Sequence, residues 1–129
     1  MTVAYIDASA LTKLVLDEPE SSAMRRWYVE AARVLSSRIG IVETRRAAGR
    51  SQHDPVHLDA VLRSVEVLEL DADIDRRAGF VGPVSLKTLD AIHLASAIKL
   101  SGAIDAFVTY DDRLADAARA VGLPVVRPA

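Results

Sequence analysis

The chain has 129 residues, 50% hydrophobic and 26% charged, which suits one domain with a sizeable core and leaves no room for a second. With 16 Lys and Arg against 18 Asp and Glu the formal net charge is −2, which excludes a histone-like basic protein and an acidic disordered tail, and the total alone signals no affinity for nucleic acid. Cysteine is absent, so disulfides, thiolate zinc sites and a cysteine nucleophile are excluded, and any metal must be held by oxygen or imidazole.

The first apolar run, Val3 to Ile6, is β-rich and stops at Asp7-Ala8-Ser9, a polar pair able to cap a helix over Ala10 to Leu16. Asp17-Glu18-Pro19 ends that helix, and Pro19 suits the first turn of a second one running to about Ala32. Val34 to Ser37 reads as a second strand. Ile41 to Arg50 is helical, with Ile41, Val42, Ala47 and Ala48 opposite a set of arginines. His53-Asp54-Pro55 breaks the pattern before a helix over Val56 to Ser64. Val65 to Leu70 alternates apolar with acidic residues, as an edge strand does. Asp71 to Phe80 predicts a short helix and Val81 to Ser85 a loop. The strongest helix follows, with Thr88 as N-cap, Leu89, Ile92, Ala95 and Ile98 on one face, and Ser101-Gly102 closing it. Ala106 to Tyr110 is a fourth strand, Arg113 to Val121 a helix ended by Gly122, and Pro124 to Val126 a terminal strand. Strands alternating with helices predict an α/β fold: a central parallel sheet of about five strands flanked by helices on both faces, with residues 1–129 as a single domain. No apolar run reaches the ~18–20 residues of a membrane span, and MTVAYIDASAL lacks the basic start and apolar stretch of a signal peptide, so a soluble cytoplasmic protein is expected.

In an open parallel sheet, sites form beyond the carboxyl ends of the strands. Asp7 and Asp111 each follow an apolar strand directly. Such an Asp also serves simply to cap the next helix, but two at the same end of one sheet carry more weight than either alone. Glu43 and Asp90 interrupt mostly apolar helical stretches, where a carboxylate must be solvated, paired or metal-bound. Glu43 has Arg46 and Arg50 as partners along its own helix, and Asp90 sits in a first turn, where the helix dipole favours an acid.

These four acids stand in the segments YIDASAL, SSRIGIVETRRA, LKTLDAIHLASA and FVTYDDRLADAARAVGL. Together the segments resemble the PIN-domain ribonucleases and, more narrowly, the VapC toxins of prokaryotic toxin–antitoxin pairs. The resemblance runs in order along nearly the whole chain, and TLDAIHLASA and VTYDDRLADAA are its most specific parts. It implies a PIN-like fold in which Asp7, Glu43, Asp90 and Asp111 cluster at the C-terminal end of the sheet and bind Mg²⁺ or Mn²⁺, with Thr109 as the accompanying hydroxyl residue. Asp112 follows Asp111 at once, and the Thr109-x-Asp111 spacing favours Asp111 as the fourth acid. Arg38 and Gly40 depart from the smoother apolar lead expected before the acidic helix. The implied activity is metal-dependent endoribonucleolytic hydrolysis of RNA phosphodiesters. Asp7 and Asp90 would be the primary metal ligands, with Glu43 and Asp111 orienting the attacking water or holding a second ion. The implied partners are a transfer, ribosomal or messenger RNA substrate, a VapB-like antitoxin and a second copy of the chain. Leu11, Leu14 and Val15 are candidate antitoxin contacts, with core packing as the alternative for each.

Charge supports this locally where the total does not. Arg25, Arg26, Arg33, Arg38, Arg45, Arg46 and Arg50 face only Glu30 and Glu43 between residues 25 and 50, and Arg outnumbers Lys 13 to 3 in the chain. The guanidinium fork suits phosphate recognition; a solvated helix face or an antitoxin-binding surface would use the same residues. Trp27 and Tyr28 could stack on a base, though core packing is the better reading. Other acidic-site folds fit poorly. A haloacid-dehalogenase-type enzyme needs a second Asp where Ser9 stands, and a response-regulator receiver needs a Lys after a late strand, whereas Lys13, Lys87 and Lys99 fall in or beside helices. The alternative from another class is a catalytically inactive PIN-fold RNA- or protein-binding module, against which the presence of all four acids argues. His53 and His57 have helical spacing but Pro55 between them and no third ligand. His93 lies one turn after Asp90 and could hydrogen-bond it. Ser9 lacks a nearby base and reads as a helix cap rather than a nucleophile.

Overall fold

Five strands, β1 (Val3–Ile6), β2 (Arg33–Ser37), β3 (Glu66–Leu68), β4 (Ala106–Val108) and β5 (Val125–Val126), form one parallel sheet in the order β3-β2-β1-β4-β5 in the computed structural model, which describes all 129 residues. Seven helices connect and cover them: α1 (Ala8–Val15), α2 (Ser21–Glu30), α3 (Arg38–Gly49), α4 (Pro55–Arg63), α5 (Ala72–Ala78), α6 (Thr88–Lys99) and α7 (Asp112–Ala120). The chain builds outward from β1 through β2 to β3, then crosses back to lay β4 against the free side of β1. Strand order therefore reverses between β1 and β4, and in such sheets a crevice opens at that point beyond the carboxyl ends. Pairing of Ile6 with Val108 makes the next residues, Asp7 and Thr109, neighbours at that crevice.

The strand period of two divides the core between the faces. Ala4, Ile6, Ala106 and Val108 face one layer, filled by Leu11, Leu14, Met24, Ile41, Leu58 and Leu62. Tyr5 and Phe107 face the other, against Leu94, Leu114 and Ala118. No helix is long and apolar enough to cross a membrane.

The expected α/β architecture, its five parallel strands and the edge position of β3 are all found. Several local expectations change. Leu11, Leu14 and Val15 are 0, 4 and 7% exposed, because α1 is enclosed by α2, α3 and α4; they are core residues, not antitoxin contacts. Trp27 and Tyr28 pack against the same core layer, as the packing reading had it. Helix α6 does not bury a single stripe: Ala91 through Ala97 are all buried while Leu89 is exposed. Its small Ala and Ser side chains let α3, α5 and α7 approach it from several sides. Its N-cap is Lys87, not Thr88, and makes no side-chain cap bond. Helix α2 starts at Ser21 rather than Pro19, because the Ser21 hydroxyl closes the preceding turn, donating to the Leu16 carbonyl and accepting from the Glu18 N–H.

Candidate active site

Asp7, the first residue after β1, is 3% exposed and N-caps α1. Its Oδ1 accepts from the Ala10 N–H (3.0 Å) and the Ser9 hydroxyl (2.6 Å), and its Oδ2 accepts from the Thr109 hydroxyl (2.6 Å). Burial pushes the Asp7 carboxyl above the usual range; nearby His93 and these three donors oppose that shift. Asp111, three residues after β4, caps α7 by accepting from the Leu114 N–H at 2.9 Å. Thr109 ties the two caps together, since its hydroxyl oxygen also accepts from the Asp111 N–H at 3.0 Å. Capping and site formation are thus compatible, because a carboxylate has more acceptor capacity than a cap consumes. Ser9 is neither cap nor nucleophile here. It donates to Asp7 and accepts from the Tyr110 N–H (2.8 Å), clasping the ends of β1 and β4.

Helices α3 and α6 bring the other two acids. Glu43, 25% exposed, does not pair with Arg46 or Arg50; its Oε1 lies 2.7 Å from His93 Nε2. His93 in turn bonds Glu43 rather than Asp90, because its position on α6 turns the ring toward α3, and its Nδ1 meets the Tyr5 hydroxyl at 2.7 Å. Asp90 is half-buried, and its carboxyl is held above the usual range by burial first and then by the negative charge of Asp111; Asp7 and Glu43 add to the shift and His93 opposes it. Asp90 is thus the acid on which the charges of the other three converge. Asp112 turns outward to Arg127 at 2.8 Å and is 85% exposed, so Asp111 is the member of that pair that faces the acids. No three of the acids stand close enough to form a ready-made metal cage.

A cleft of about 540 Å³ beside the acids is lined by Ser9, Lys13, Glu43, Arg46 and Arg50 among others, and a second of about 350 Å³ by Lys87, Asp90, Asp111, Asp112 and Arg113. The basic stretch disperses on folding. Arg25, Arg33, Arg38 and Arg45 pair with Asp17, Glu66, Glu69 and Asp59, and Arg26 bonds Ser22, whereas Arg46 and Arg50 face the acidic cleft. The departures at Arg38 and Gly40 have structural causes. Arg38 grips Glu69 through Nη2 at 2.5 Å, and a Cβ on Gly40 would stand 2.6 Å from Ser36 Oγ and 2.9 Å from His93 Cε1. His57 bonds the Leu14 carbonyl and His53 that of Ser51. Sequence reasoning missed Tyr5 as a support of the site; the available signal was a phenol on a core strand, which needs a partner when buried.

The family model of the PIN domain matches residues 4–120. The chain is 38% identical to Ribonuclease VapC46 of Mycobacterium tuberculosis across 99% of both chains, and 35% identical to Ribonuclease VapC47 of the same species across 96% of both. Among solved structures, M. tuberculosis VapC20, a sarcin–ricin loop cleaving toxin, superposes with a TM-score of 0.74 at 20% identity over 97% of this chain and 99% of that one. A toxin–antitoxin complex from Klebsiella pneumoniae gives 0.65 at 21% identity over 98% of each chain. The order of the elements and these likenesses agree: the chain belongs to the PIN domain family and, within it, to the VapC ribonucleases, the toxin endoribonucleases of toxin–antitoxin systems.

Proposed function

We propose that residues 1–129 act as a single PIN domain that hydrolyses RNA phosphodiester bonds at Asp7, Glu43, Asp90 and Asp111 with the help of Mg²⁺ or Mn²⁺. The observation that carries this reading is the raised Asp90 carboxyl, on which three other acids press at one crevice without a pairing cation. The donor set is entirely carboxylate oxygen, which suits a hard divalent ion, and Mg²⁺ takes one or two carboxylates while keeping several waters. Bound there, such an ion would relieve the repulsion and supply charge for in-line displacement at phosphorus. Asp7 and Asp90 would hold it, directly or through water. Glu43 and Asp111 orient the attacking water, and Thr109 and Ser9 lock the Asp7 rotamer. Arg46 and Arg50 offer paired forks to the phosphates of the entering strand.

The substrate is a transfer, ribosomal or messenger RNA in the cytoplasm, and the chain works as a homodimer held in check by a VapB-like antitoxin. The fold shared with a toxin that cleaves the sarcin–ricin loop and with a toxin of a toxin–antitoxin complex supports this assignment. Purified protein incubated with total RNA and Mg²⁺ or Mn²⁺, with and without EDTA, tests it. Asp7→Asn and Asp90→Asn should each lower cleavage by about 10²–10³-fold, and EDTA should abolish it. Undiminished cleavage in EDTA or in either variant overturns the metal site, and a folded wild type inert on every RNA would favour a binding-only module.

A further inference from the structure

His93 lies behind the acids, 1% exposed, with both ring nitrogens engaged: Nε2 with Glu43 Oε1 and Nδ1 with the Tyr5 hydroxyl, each at 2.7 Å. Tyr5 is itself fixed. It is fully buried, with its ring parallel to that of Phe107 at 5.5 Å and edge-on to His93 at 5.8 Å. A carboxylate can only accept, so the Glu43 contact places a hydrogen on Nε2, and the Tyr5 hydroxyl, able to donate or accept, meets Nδ1. Three elements, β1, α6 and α3, are thus joined by one buried polar chain, a costly arrangement unless every member is satisfied.

Two further features give this chain a purpose. Glu43 is a long, partly exposed side chain with Arg46 one turn along its helix and Arg50 in the same cleft, so an unbraced carboxylate has a cation to draw it away from the acids. Gly40, one turn before Glu43 on the same helix, provides the space the imidazole occupies, since any Cβ there would meet His93 Cε1 at 2.9 Å. We propose that His93, braced by Tyr5 and admitted by Gly40, is a positioning residue that holds the Glu43 carboxylate toward the acidic site and away from Arg46. The inference rests on the ribonuclease reading for its kinetic consequences and on geometry alone for its structural one.

Two substitutions separate positioning from mere filling. His93→Gln places an amide N–H near the Nε2 position and can still hold Glu43, whereas His93→Asn reaches only the Nδ1 position and cannot. Cleavage by His93→Gln should stay within about threefold of wild type. In His93→Asn, kcat should fall about 10–100-fold with KM for RNA little changed. In a Glu43→Gln background, His93→Asn should add almost nothing. Crystal structures of the metal-free variants provide a readout independent of activity: the Glu43 carboxylate should keep its place in His93→Gln and swing toward Arg46 in His93→Asn. If His93→Asn does not fold, Tyr5→Phe, which keeps the ring stack and removes only the phenol oxygen, should show a smaller loss that also vanishes in the Glu43→Gln background. Equal kcat for the Gln and Asn variants, additivity with Glu43→Gln, or an unmoved Glu43 in His93→Asn overturns the proposal. A wild type that cleaves no RNA would instead defeat the ribonuclease reading and leave the crystallographic comparison to decide the role of His93.

Discussion

At the mouth of the β1–β4 crevice, burial pushes the pKa values of Asp7 and Asp90 up, with neighbouring acids adding to the shift of Asp90, whereas along the β2–β3 edge Glu66 and Glu69 sit beside Arg33 and Arg38, which hold theirs down. Both sets of carboxylates are local products of the same sheet, yet their contributions to stability have opposite signs. The edge pairs favour the folded state when ionised, and the crevice acids disfavour it. A chain that pairs Arg33, Arg38 and Arg45 with acids elsewhere, while leaving its most desolvated carboxylates without a cationic partner, has concentrated its electrostatic strain at one place. The difference is the one that the divalent cation proposed above would relieve.

The sharpest way to probe that contrast is to add the missing charge. Mg²⁺ or Mn²⁺ at a hundredfold excess over its dissociation constant should stabilise wild type by about 2.7 kcal/mol, read as a rise in Tm that EDTA reverses. Asp7→Asn and Asp90→Asn should lose most of that rise, and the Arg38→Ala variant should keep it. Without divalent ions, Asp7→Asn should itself melt higher than wild type at neutral pH, because it no longer buries a charge.

The pH dependence of that gain follows from the direction of the shift. A carboxyl whose folded pKa is raised contributes stability that is present below the ordinary carboxylate range and lost as pH rises through the raised value. The melting advantage of Asp7→Asn over metal-free wild type should therefore shrink on acidification from neutral pH and vanish below about pH 4. Glu66, Glu69, Glu20 and Asp71 run the other way, their lowered values making a contribution that is lost as pH falls through them. An advantage independent of pH would show that Asp7 is not the strained member.

Smaller effects should come from the groups that hold the crevice acids in place. Thr109→Val keeps the shape but removes the donor to Asp7 and the acceptor for the Asp111 N–H. It should cost about 1–3 kcal/mol in urea unfolding, together with a loss of cleavage. Smallest of all is the edge. Arg38→Ala should leave cleavage unchanged and lower Tm only slightly, and that drop should disappear at high salt, since exposed ion pairs are weak and screened.

Much of this molecule is legible from local pattern. Short apolar runs ending in Asp, helices bounded by Pro or Gly, and an acidic-apolar alternation at Val65 to Leu70 were enough to expect five parallel strands in a covered sheet, because strand burial and capping are short-range effects. Asp7 was visible for the same reason, directly after β1, whereas Asp111, expected at the end of a strand reaching Tyr110, lies three residues beyond β4. Side-chain partners were not visible. The sequence neighbours of Glu43 pointed to Arg46 and Arg50, and those of His93 to Asp90, yet the two residues bond each other across 50 positions, since only the packing of α3 on α6 brings them together. The fate of the arginine-rich stretch was equally hidden. Its charges are adjacent in the chain, but most are taken up by acids from Asp17 to Glu69, leaving Arg46 and Arg50 at the cleft.

The sequence by itself therefore determined most of the elements and the sheet class, because these depend on periodicity and on residues within a turn or two. The tertiary structure alone decided that Leu11, Leu14 and Val15 belong to the core, that Ser9 and Thr109 clasp Asp7 between two strands, and that Glu43 rests on His93 and Tyr5. Each of these is a contact made when separate elements exclude water from the space between them, and no local pattern encodes which elements those will be.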